Sequence, residues 1–394
     1  MNSYLSFIAI SIILRLLNLM AGIYLHIPFC KQACYYCDFH FSTSMKIKDD
    51  FVIALRKEIK LQKDYLKDEV VNTIYFGGGT PSLLSYDDLM LLFDDLNENF
   101  IVAMNPEITL EANPDDLSNK KLKELRKTSV NRLSIGVQSF HEEDLKFMNR
   151  AHTSNEALNC IKNAQDIGFE NLTIDLIYGV PTLSNDNWKK NLETAYSLGI
   201  PHLSCYCLTV ESKTVLADFI RKGKVPDVDE QKSSNHFEIM LEEMDKHGYE
   251  QYEISNFCKD EKYSKHNSAY WSGEKYLGLG PSAHSFNGTI RQWNVSNNSS
   301  YIKSIMENAI PNESETLTNE QRFNEYILTS LRTKWGTDIN KIEKNFGSDT
   351  KETLMNQVAD FIERGLIIQN NNHLFLTTKG KLIADTITSD LFKV

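Results

Sequence analysis

The sequence lacks an excess of positive charge. Its 394 residues include 42 Lys and Arg against 53 Asp and Glu, which gives a formal net charge of −11 at pH 7. Proteins that bind nucleic acids or anionic lipids concentrate basic residues, because phosphate groups dominate those contacts. The composition therefore excludes an electrostatic footprint for either kind of partner.

Cysteine is also scarce. Seven Cys residues form an odd set, which is unsuited to the disulfide framework of a secreted protein. We expect the four scattered ones, Cys160, Cys205, Cys207 and Cys258, to be small buried apolar groups. This cysteine usage fits a reducing cytoplasm.

The sequence has no convincing membrane-spanning run. Residues 4–19 are apolar but short, and Arg15 and Asn18 interrupt them. No basic residue precedes this run and no A-x-A cleavage site follows it, so a signal peptide is disfavoured. Because Met20 leads directly into the first predicted core strand, we expect residues 1–19 to be an upstream start-site extension outside the fold. We predict no integral span, and any membrane association only peripheral, through a partner.

From Ile23 onward, short apolar runs alternate with amphipathic helices. Ser85 with Asp88 and Thr153 with Glu156 are capping-box patterns that mark helix starts. Six strand–helix units with right-handed crossovers predict an α/β fold, a partial (β/α)6 barrel over residues 20–310 with flanking strands. The predicted strands are Ile23–Ile27, Asn72–Phe76, Ile108–Ala112, Arg132–Val137, Leu172–Ile177 and Leu203–Leu208.

Three cysteines follow the first predicted strand. Cys30, Cys34 and Cys37 form the pattern C-x3-C-x2-C, which can place three thiolates around one iron–sulfur cube and leave one iron open. A structural zinc site completed by His40 and structural disulfides are alternatives. Interleaved aromatic residues favour a shielded redox cluster over zinc.

Polar residues fall at the carboxyl ends of the predicted strands, where the chemistry of parallel barrels is located. Taken singly, each has an ordinary structural explanation, such as a tight turn, a solvated carboxylate, a core amide or a surface cation. Together they match a zwitterionic, ribose-bearing ligand, which needs a carboxylate for its amine, an arginine or amide for its carboxylate, and an aspartate for its hydroxyls. The set comprises Gly77–Pro81, Glu111, Gln138, Arg150 and Asp175.

These motifs resemble radical S-adenosylmethionine enzymes, and within them the oxygen-independent coproporphyrinogen oxidase-like group. The resemblance extends from Ile23 to the C-terminus and rests on the cysteine motif, GGGTP, the strand-end glutamate, GVQSF and R-x-H. It implies a 4Fe–4S cluster on the three cysteines, S-adenosylmethionine chelating the fourth iron, and a 5′-deoxyadenosyl radical. It also implies a pocket lined by Tyr24, Tyr36, Gly78, Gly79, Thr80, Glu111, Gln138, Arg150 and Asp175.

The group contains two kinds of protein that this chain resembles. One is a dehydrogenase of heme biosynthesis that decarboxylates coproporphyrinogen III and has a further cysteine where this chain has Phe39. The other is a heme chaperone marked by the motif H-N-x-x-Y-W, which matches residues 266–271. We therefore interpret the chain as a heme chaperone whose partners are heme and a heme-accepting protein, with the dehydrogenase as the alternative.

The chaperone motif implies that His266 is a ligand of heme iron, flanked by Tyr270 and Trp271. Imidazole is a common axial ligand of heme. The alternative is that His266 only hydrogen-bonds in a loop while Trp271 packs in the core. His284 is a second, weaker candidate ligand.

Residues 318–394 are predicted to form a separate, mainly helical, winged-helix-like domain. Thr318 with Gln321 caps its first helix, further helices cover about 338–345 and 353–364, and LIIQ-NNN-HLFLT indicates a hairpin. From Glu320 to Val394, ten Lys and Arg balance ten Asp and Glu, which argues against DNA binding. The resemblance implies a lid or docking domain, and we expect the Asn- and Ser-rich segment around 285–311 to cross between the domains.

Overall fold

The computed structural model describes residues 20–393, so the predicted extension of residues 1–19 lies outside the described residues. Six strands form the barrel: β1 Met20–Ile27, β2 Val70–Gly78, β3 Val102–Ala112, β4 Arg132–Gln138, β5 Leu172–Tyr178 and β6 His202–Cys207. Each is parallel to the next in chain order. The predicted partial barrel is confirmed, and every predicted strand overlaps an observed one.

Helices on the outer face connect the strands. They are α1 Lys48–Leu61, α2 Tyr86–Asn99, α3 Asn119–Leu125, α4 Glu142–Phe147, α5 Ser154–Asp166 and α6 Asn185–Ser197. The capping boxes predicted at Ser85 and Thr153 are both present, and each satisfies backbone groups that the first helical turn leaves unpaired. The start signals in the sequence therefore fix where α2 and α5 begin.

Further elements extend the sheet at both edges of the barrel. The chain continues through α7 Val215–Arg221, α8 Glu230–Lys246, β7 Glu250–Glu253, β8 Asn256–Cys258, α9 Lys265–Ser272, β9 Lys275–Leu279, β10 His284–Phe286, β11 Ile290–Asn294, α10 Asn298–Met306 and β12 Asn312–Thr316. The strand order is β12-β11-β10-β9-β1-β2-β3-β4-β5-β6-β8-β7. The segment around residues 285–311, which is predicted to cross between the domains, is regular in structure, since it contains most of β10 together with β11 and α10.

The C-terminal part is mainly helical with a small antiparallel wing. Its elements are α11 Asn319–Leu331, β13 Thr337–Asp338, α12 Ile339–Phe346, α13 Ser348–Glu363, β14 Ile367–Asn370, β15 His373–Leu376, α14 Thr378–Leu382 and α15 Ala384–Asp390. The hairpin of β14 and β15 matches the predicted one, and the wing order is β13-β15-β14. Helix α13 begins several residues before the predicted start. The prediction is late because the first turn of the helix is polar and shows no apolar periodicity.

Two apolar cores are present. One fills the space between the barrel strands and their helices, and the other joins α11, α12 and α13 to the wing. Ile254 packs against both cores. We keep the division into units 20–310 and 318–394 as a proposal. Within residues 20–393, no helix combines the length and the apolar character that a membrane crossing needs.

Candidate functional site

A cavity of about 1020 Å³ opens at the carboxyl ends of the barrel strands. The C-terminal part supplies its opposite wall through Arg332 and residues 381–386. Most of the residues predicted for one pocket share this cavity, although they come from four strands, β2 to β5, and from the loops around them. They are Cys30, Cys34, Cys37, Tyr36, Gly78, Gly79, Thr80, Glu111, Gln138, Arg150 and Asp175.

The three cysteines lie on a loop that is tied down by backbone and side-chain contacts. The Cys30 amide donates to Ser42 O at 3.0 Å, and the Cys37 amide donates to Cys34 O at 3.3 Å. The Thr80 hydroxyl donates to Cys30 Sγ at 3.5 Å. Burial raises the pKa of the Cys30 thiol to about 11, so a bound metal would have to supply the charge that keeps it deprotonated.

The alternative zinc site with His40 finds little support. The imidazole Nε2 of His40 lies 2.7 Å from Asn298 Oδ1. No group of three or more His, Cys, Asp or Glu within residues 20–393 is close enough to hold a single metal ion. In an iron–sulfur cube each thiolate binds a different iron, so its ligands lie further apart than those of one zinc ion. The arrangement favours a cluster.

The glycine run lets two loops of the cavity approach each other closely. A Cβ added at Gly79 would lie 2.6 Å from Phe29 O, and one at Gly78 would lie 2.6 Å from the His26 ring. Gly78 also has a φ of 103°, where side chains are disfavoured. The amides of Gly79 and Thr80 donate to carbonyls at the start of the cysteine loop, at 2.9 and 2.7 Å. The run is therefore more than a plain turn.

Two partly buried carboxylates lie in the cavity wall. Glu111 Oε1 accepts a 2.7 Å hydrogen bond from the Tyr75 hydroxyl. Burial, reinforced by the charge of Asp175, raises the pKa of Glu111 to about 7. Burial also raises the pKa of Asp175 to about 6. A cationic ligand in the cavity would stabilise the charged form of both groups.

Arg150 lies partly buried in the cavity wall and is not a free surface cation. Its Nη2 donates to Asn113 Oδ1 at 2.6 Å and to Gly136 O at 2.7 Å, and its Nη1 donates to Cys34 Sγ at 3.3 Å. Its Nε is buried without a partner. Gln138 lies in the same wall with a φ of 64°. The cavity thus contains a fixed cation next to a cysteine sulfur.

His266 lies at the opposite end of the barrel. Its side chain is only 2 % exposed, its Nδ1 lies 2.8 Å from Thr73 Oγ1 and its Nε2 lies 2.9 Å from the Tyr270 hydroxyl. Thr73 is in the amino-terminal half of β2, and a Cβ on Gly22 of β1 would lie 3.2 Å from the imidazole. Burial lowers the pKa of His266 to about 3, so the ring is neutral.

The other two motif residues hold α9 in place. Tyr270 packs edge-on against Tyr276 with ring centroids 4.6 Å apart. The guanidinium of Arg332 lies 5.5 Å from the centre of the Trp271 ring, and it also pairs with Glu253 at 3.3 Å and with Asp385 at 2.7 Å. Helix α9 thus connects the floor of the barrel with the C-terminal part.

Tyr24 and His284 lie outside the cavity wall. The Tyr24 hydroxyl lies 3.1 Å from His26 Nδ1, beneath the glycine run. His284 is exposed on β10, with its ring stacked on Trp293 at 6.1 Å between centroids. Neither the H-N-x-x-Y-W motif at the floor of the barrel (residues 266–271) nor these two residues line the cavity that contains the cysteines.

Sequence reasoning missed several residues of the site. Tyr75 has the sequence context of a core strand residue, yet it contacts Glu111. Asn113 has that of a turn residue, yet it contacts Arg150. Lys381 has that of a surface cation, yet it lines the cavity. Cys207 was expected to be buried but is partly exposed in the cavity. Its position at the end of β6 was the signal, since strand ends supply barrel sites.

Comparison with known proteins agrees with this architecture. The family model for the Radical SAM superfamily matches residues 24–209, and that for the HemN C-terminal domain matches residues 317–383. The solved structure of Escherichia coli coproporphyrinogen III oxidase (HemN), a radical SAM enzyme, superposes with a TM-score of 0.83 at 24% identity, covering 95% of this chain and 91% of that one. At this identity the likeness establishes the fold.

Sequence relatives are more specific. Heme chaperone HemW from Bacillus subtilis is 36% identical over 372 residues, 93% of this chain and 98% of the relative. Heme chaperone HemW from Mycobacterium tuberculosis is 32% identical over 94% of each chain. With this identity over nearly the full length of the relatives, the chain belongs to the heme chaperone HemW family.

Proposed function

We propose that this protein binds heme and transfers it to an acceptor protein, and that it holds a 4Fe–4S cluster and S-adenosylmethionine at the mouth of its barrel. The observation that carries the proposal is one cavity lined by three thiols, the carboxylates of Glu111 and Asp175, and the guanidinium of Arg150. The printed names of the relatives support the heme part. The cysteine usage supports work in the cytoplasm.

The residues of the cavity fit the cluster. Cys30, Cys34 and Cys37 would hold three irons, while Arg150 and Thr80 already donate to two of the sulfurs, contacts of the kind that tune a cluster. When bound, such a cluster supplies one electron and an open coordination position.

The same cavity fits S-adenosylmethionine. Glu111 is suited to the ammonium group, Arg150 and Gln138 to the carboxylate, and Asp175 to the ribose hydroxyls. Gly78 and Gly79 allow the ligand to approach backbone groups that side chains would block. The unpartnered Nε of Arg150 is a donor that such a ligand would satisfy.

The heme ligand is proposed to be His266, flanked by Tyr270 and Trp271. In the described structure both ring nitrogens contact protein oxygens, so ligation requires α9 to leave the barrel floor. The ring is neutral because burial lowers its pKa to about 3, and neutral imidazole is the form that binds iron. This opening would distinguish a carrier, which must release heme, from a protein with a permanent heme site.

Titration of the anaerobically reconstituted full chain with heme tests the proposal, with coproporphyrinogen III turnover assayed on the same samples. We expect stoichiometric binding by absorbance, weakened at least tenfold by His266→Ala, and no turnover. His247→Ala, a histidine at the exposed end of α8, is the control and should bind heme normally. His284→Ala tests the weaker candidate.

Two other outcomes would change the proposal. Turnover of coproporphyrinogen III with little heme affinity would establish the dehydrogenase and overturn the carrier. Heme affinity lost in His284→Ala but kept in His266→Ala would move the ligand to β10. A mixture of wild type and a heme-free acceptor, followed by absorbance of the separated proteins, then tests transfer.

A further inference from the structure

Tyr75 connects the barrel floor with the cavity at the other end. Its ring stacks on the His266 imidazole, with centroids 5.0 Å apart and planes inclined by 25°. Its hydroxyl, at the far end of the same side chain, donates to Glu111 Oε1 at 2.7 Å. One side chain therefore contacts both the proposed heme ligand and the proposed partner of the S-adenosylmethionine amine.

Tyr24 makes a second, parallel connection. Its ring stacks on Tyr75 and on His266, at 6.1 and 6.5 Å between centroids. Its hydroxyl lies 3.1 Å from Nδ1 of His26, and the His26 ring lies directly under Gly78. The predicted pocket residue Tyr24 thus acts from below the cavity wall.

These contacts leave little room for independent movement. A Cβ on Gly77 would lie 2.8 Å from the Tyr24 ring and 2.9 Å from the Tyr75 ring, so both rings press against the strand that leads to the glycine run. Tyr75 is 8% exposed. Close-packed interiors transmit displacements and do not absorb them, so moving His266 must affect the position of Tyr75.

We propose that His266 and Tyr75 position Glu111, and that heme ligation by His266 and binding of S-adenosylmethionine oppose each other through Tyr75. This inference rests on the proposed function. When the imidazole leaves Thr73 and Tyr270 to bind iron, the Tyr75 ring loses the surface on which it stacks. Its hydroxyl is then no longer held at Glu111, and the carboxylate loses the donor that orients it.

Linkage makes the effect reciprocal, since a ligand that weakens a second one is weakened by the same factor. On the reconstituted full chain, we would measure the heme Kd with and without saturating S-adenosylmethionine, and the S-adenosylmethionine Kd by equilibrium dialysis with and without heme. Each ligand should raise the Kd of the other about fivefold or more. Equal Kd values in both arms would overturn the coupling.

Tyr75→Phe isolates the hydroxyl while keeping the ring in place. We expect it to raise the S-adenosylmethionine Kd about tenfold, as loss of a hydrogen bond to a charged group does, and to bring the coupling factor close to one. Tyr196→Phe is the matched control, because that hydroxyl is buried without a partner on the outer helix α6. It should leave both Kd values unchanged.

Thr73→Val should change the Kd values of the two ligands in opposite directions. It removes the partner of His266 Nδ1 and so favours the released imidazole, which should tighten heme binding and weaken S-adenosylmethionine binding. A general loss of folding would weaken both. Weakening of both ligands, with the free energy of unfolding unchanged in urea denaturation, would therefore overturn the positioning role.

The outcomes separate this inference from the proposed function. Wild type that binds neither ligand contradicts both. Binding of both ligands without mutual effect, and with Tyr75→Phe neutral, overturns the coupling alone. If heme does not bind, the positioning role is tested by the S-adenosylmethionine Kd of two variants, Tyr75→Phe and His266→Gln. Values equal to that of the wild type would exclude a positioning role for these residues.

Discussion

The two ends of the barrel use buried polar side chains in opposite ways. At the mouth, Glu111, Asp175 and Arg150 line an open cavity, and burial raises the pKa of both carboxyls. At the floor, both ring nitrogens of His266 have partners within the protein. Buried polar groups are normally satisfied within the protein, whereas at the mouth Nε of Arg150 has no partner and faces the cavity with its guanidinium.

The mouth therefore offers a site that is already formed, whereas the floor would have to open before a ligand could reach His266. A ligand at the mouth finds a formed cavity with groups whose charge it stabilises. A ligand that binds His266 must first replace two hydrogen bonds and the stacking contacts with Tyr24 and Tyr75. Binding at the floor therefore carries a conformational cost that reduces apparent affinity, which suits a protein that must release its ligand.

Removal of one cysteine thiol should have the largest effect on the site at the mouth of the barrel. Cys34→Ser should lose most bound iron and acid-labile sulfide after anaerobic reconstitution, because serine is a poor ligand for a cluster built on thiolates. Iron and sulfide analysis with the visible absorption spectrum measures the loss. Cys160→Ser, whose Sγ donates only to Ala157 O within α5, is the control. Full iron and sulfide in Cys34→Ser would contradict the cluster assignment.

Arg150→Lys should have the next largest effect. Lysine cannot replace the guanidinium contacts to Asn113, Gly136 and Cys34. We expect the S-adenosylmethionine Kd to rise roughly tenfold or more and the free energy of unfolding to fall by about 1–3 kcal/mol. Dialysis and urea denaturation measure these changes. Arg126→Lys on the surface is the control, and equal effects in both variants would argue against a site role.

The fold and the mouth were largely predictable from the sequence. Strand-end residues meet at one edge of a parallel barrel by topology alone, so Glu111 and Asp175 come together although they lie on different strands, β3 and β5. The capping signals at Ser85 and Thr153 act locally and fixed helix starts.

The floor was not predictable from the sequence. Nothing in the H-N-x-x-Y-W motif indicates that α9 turns His266 under the strands, because that placement depends on Gly22, Thr73 and Glu107 far away in the chain. The role of Tyr75 was hidden for a similar reason. A tyrosine in a buried strand reads as core, and only the contacts at both ends of its ring distinguish it.

The mouth should also respond to pH. In the free protein, burial raises the pKa of Glu111 to about 7 from an unfolded value near 4.5, so the folded state holds this proton more tightly. Its contribution to stability is full below pH 4.5 and is lost as the pH rises through 7. The facing groups are Asp175, with a pKa of about 6, and the Tyr75 phenol, which burial keeps neutral.

We therefore expect the free energy of unfolding of the ligand-free protein to fall by about 1–3 kcal/mol between pH 5 and 8 on this account. Glu111→Gln should flatten that part of the profile, as followed by urea denaturation across the range. Glu142→Gln on the surface should keep it. A wild-type profile that rises with pH over this range would contradict the assignment.

The smallest expected effect concerns the contact between helix α9, at the floor of the barrel, and the C-terminal part. Arg332→Gln removes the cation that lies on Trp271 and pairs with Glu253 and Asp385, so α9 should open more often and exchange its amide hydrogens a few-fold faster. Amides of the cysteine loop should not change. Arg364→Gln is the matched control, because Arg364 also pairs with an aspartate, Asp360, and lies on an aromatic ring, but at an exposed position. Opening of α9 frees His266, so Arg332→Gln should also tighten heme binding slightly. Weaker heme binding, with the amide hydrogen exchange of α9 unchanged, would show that the floor opens by another route.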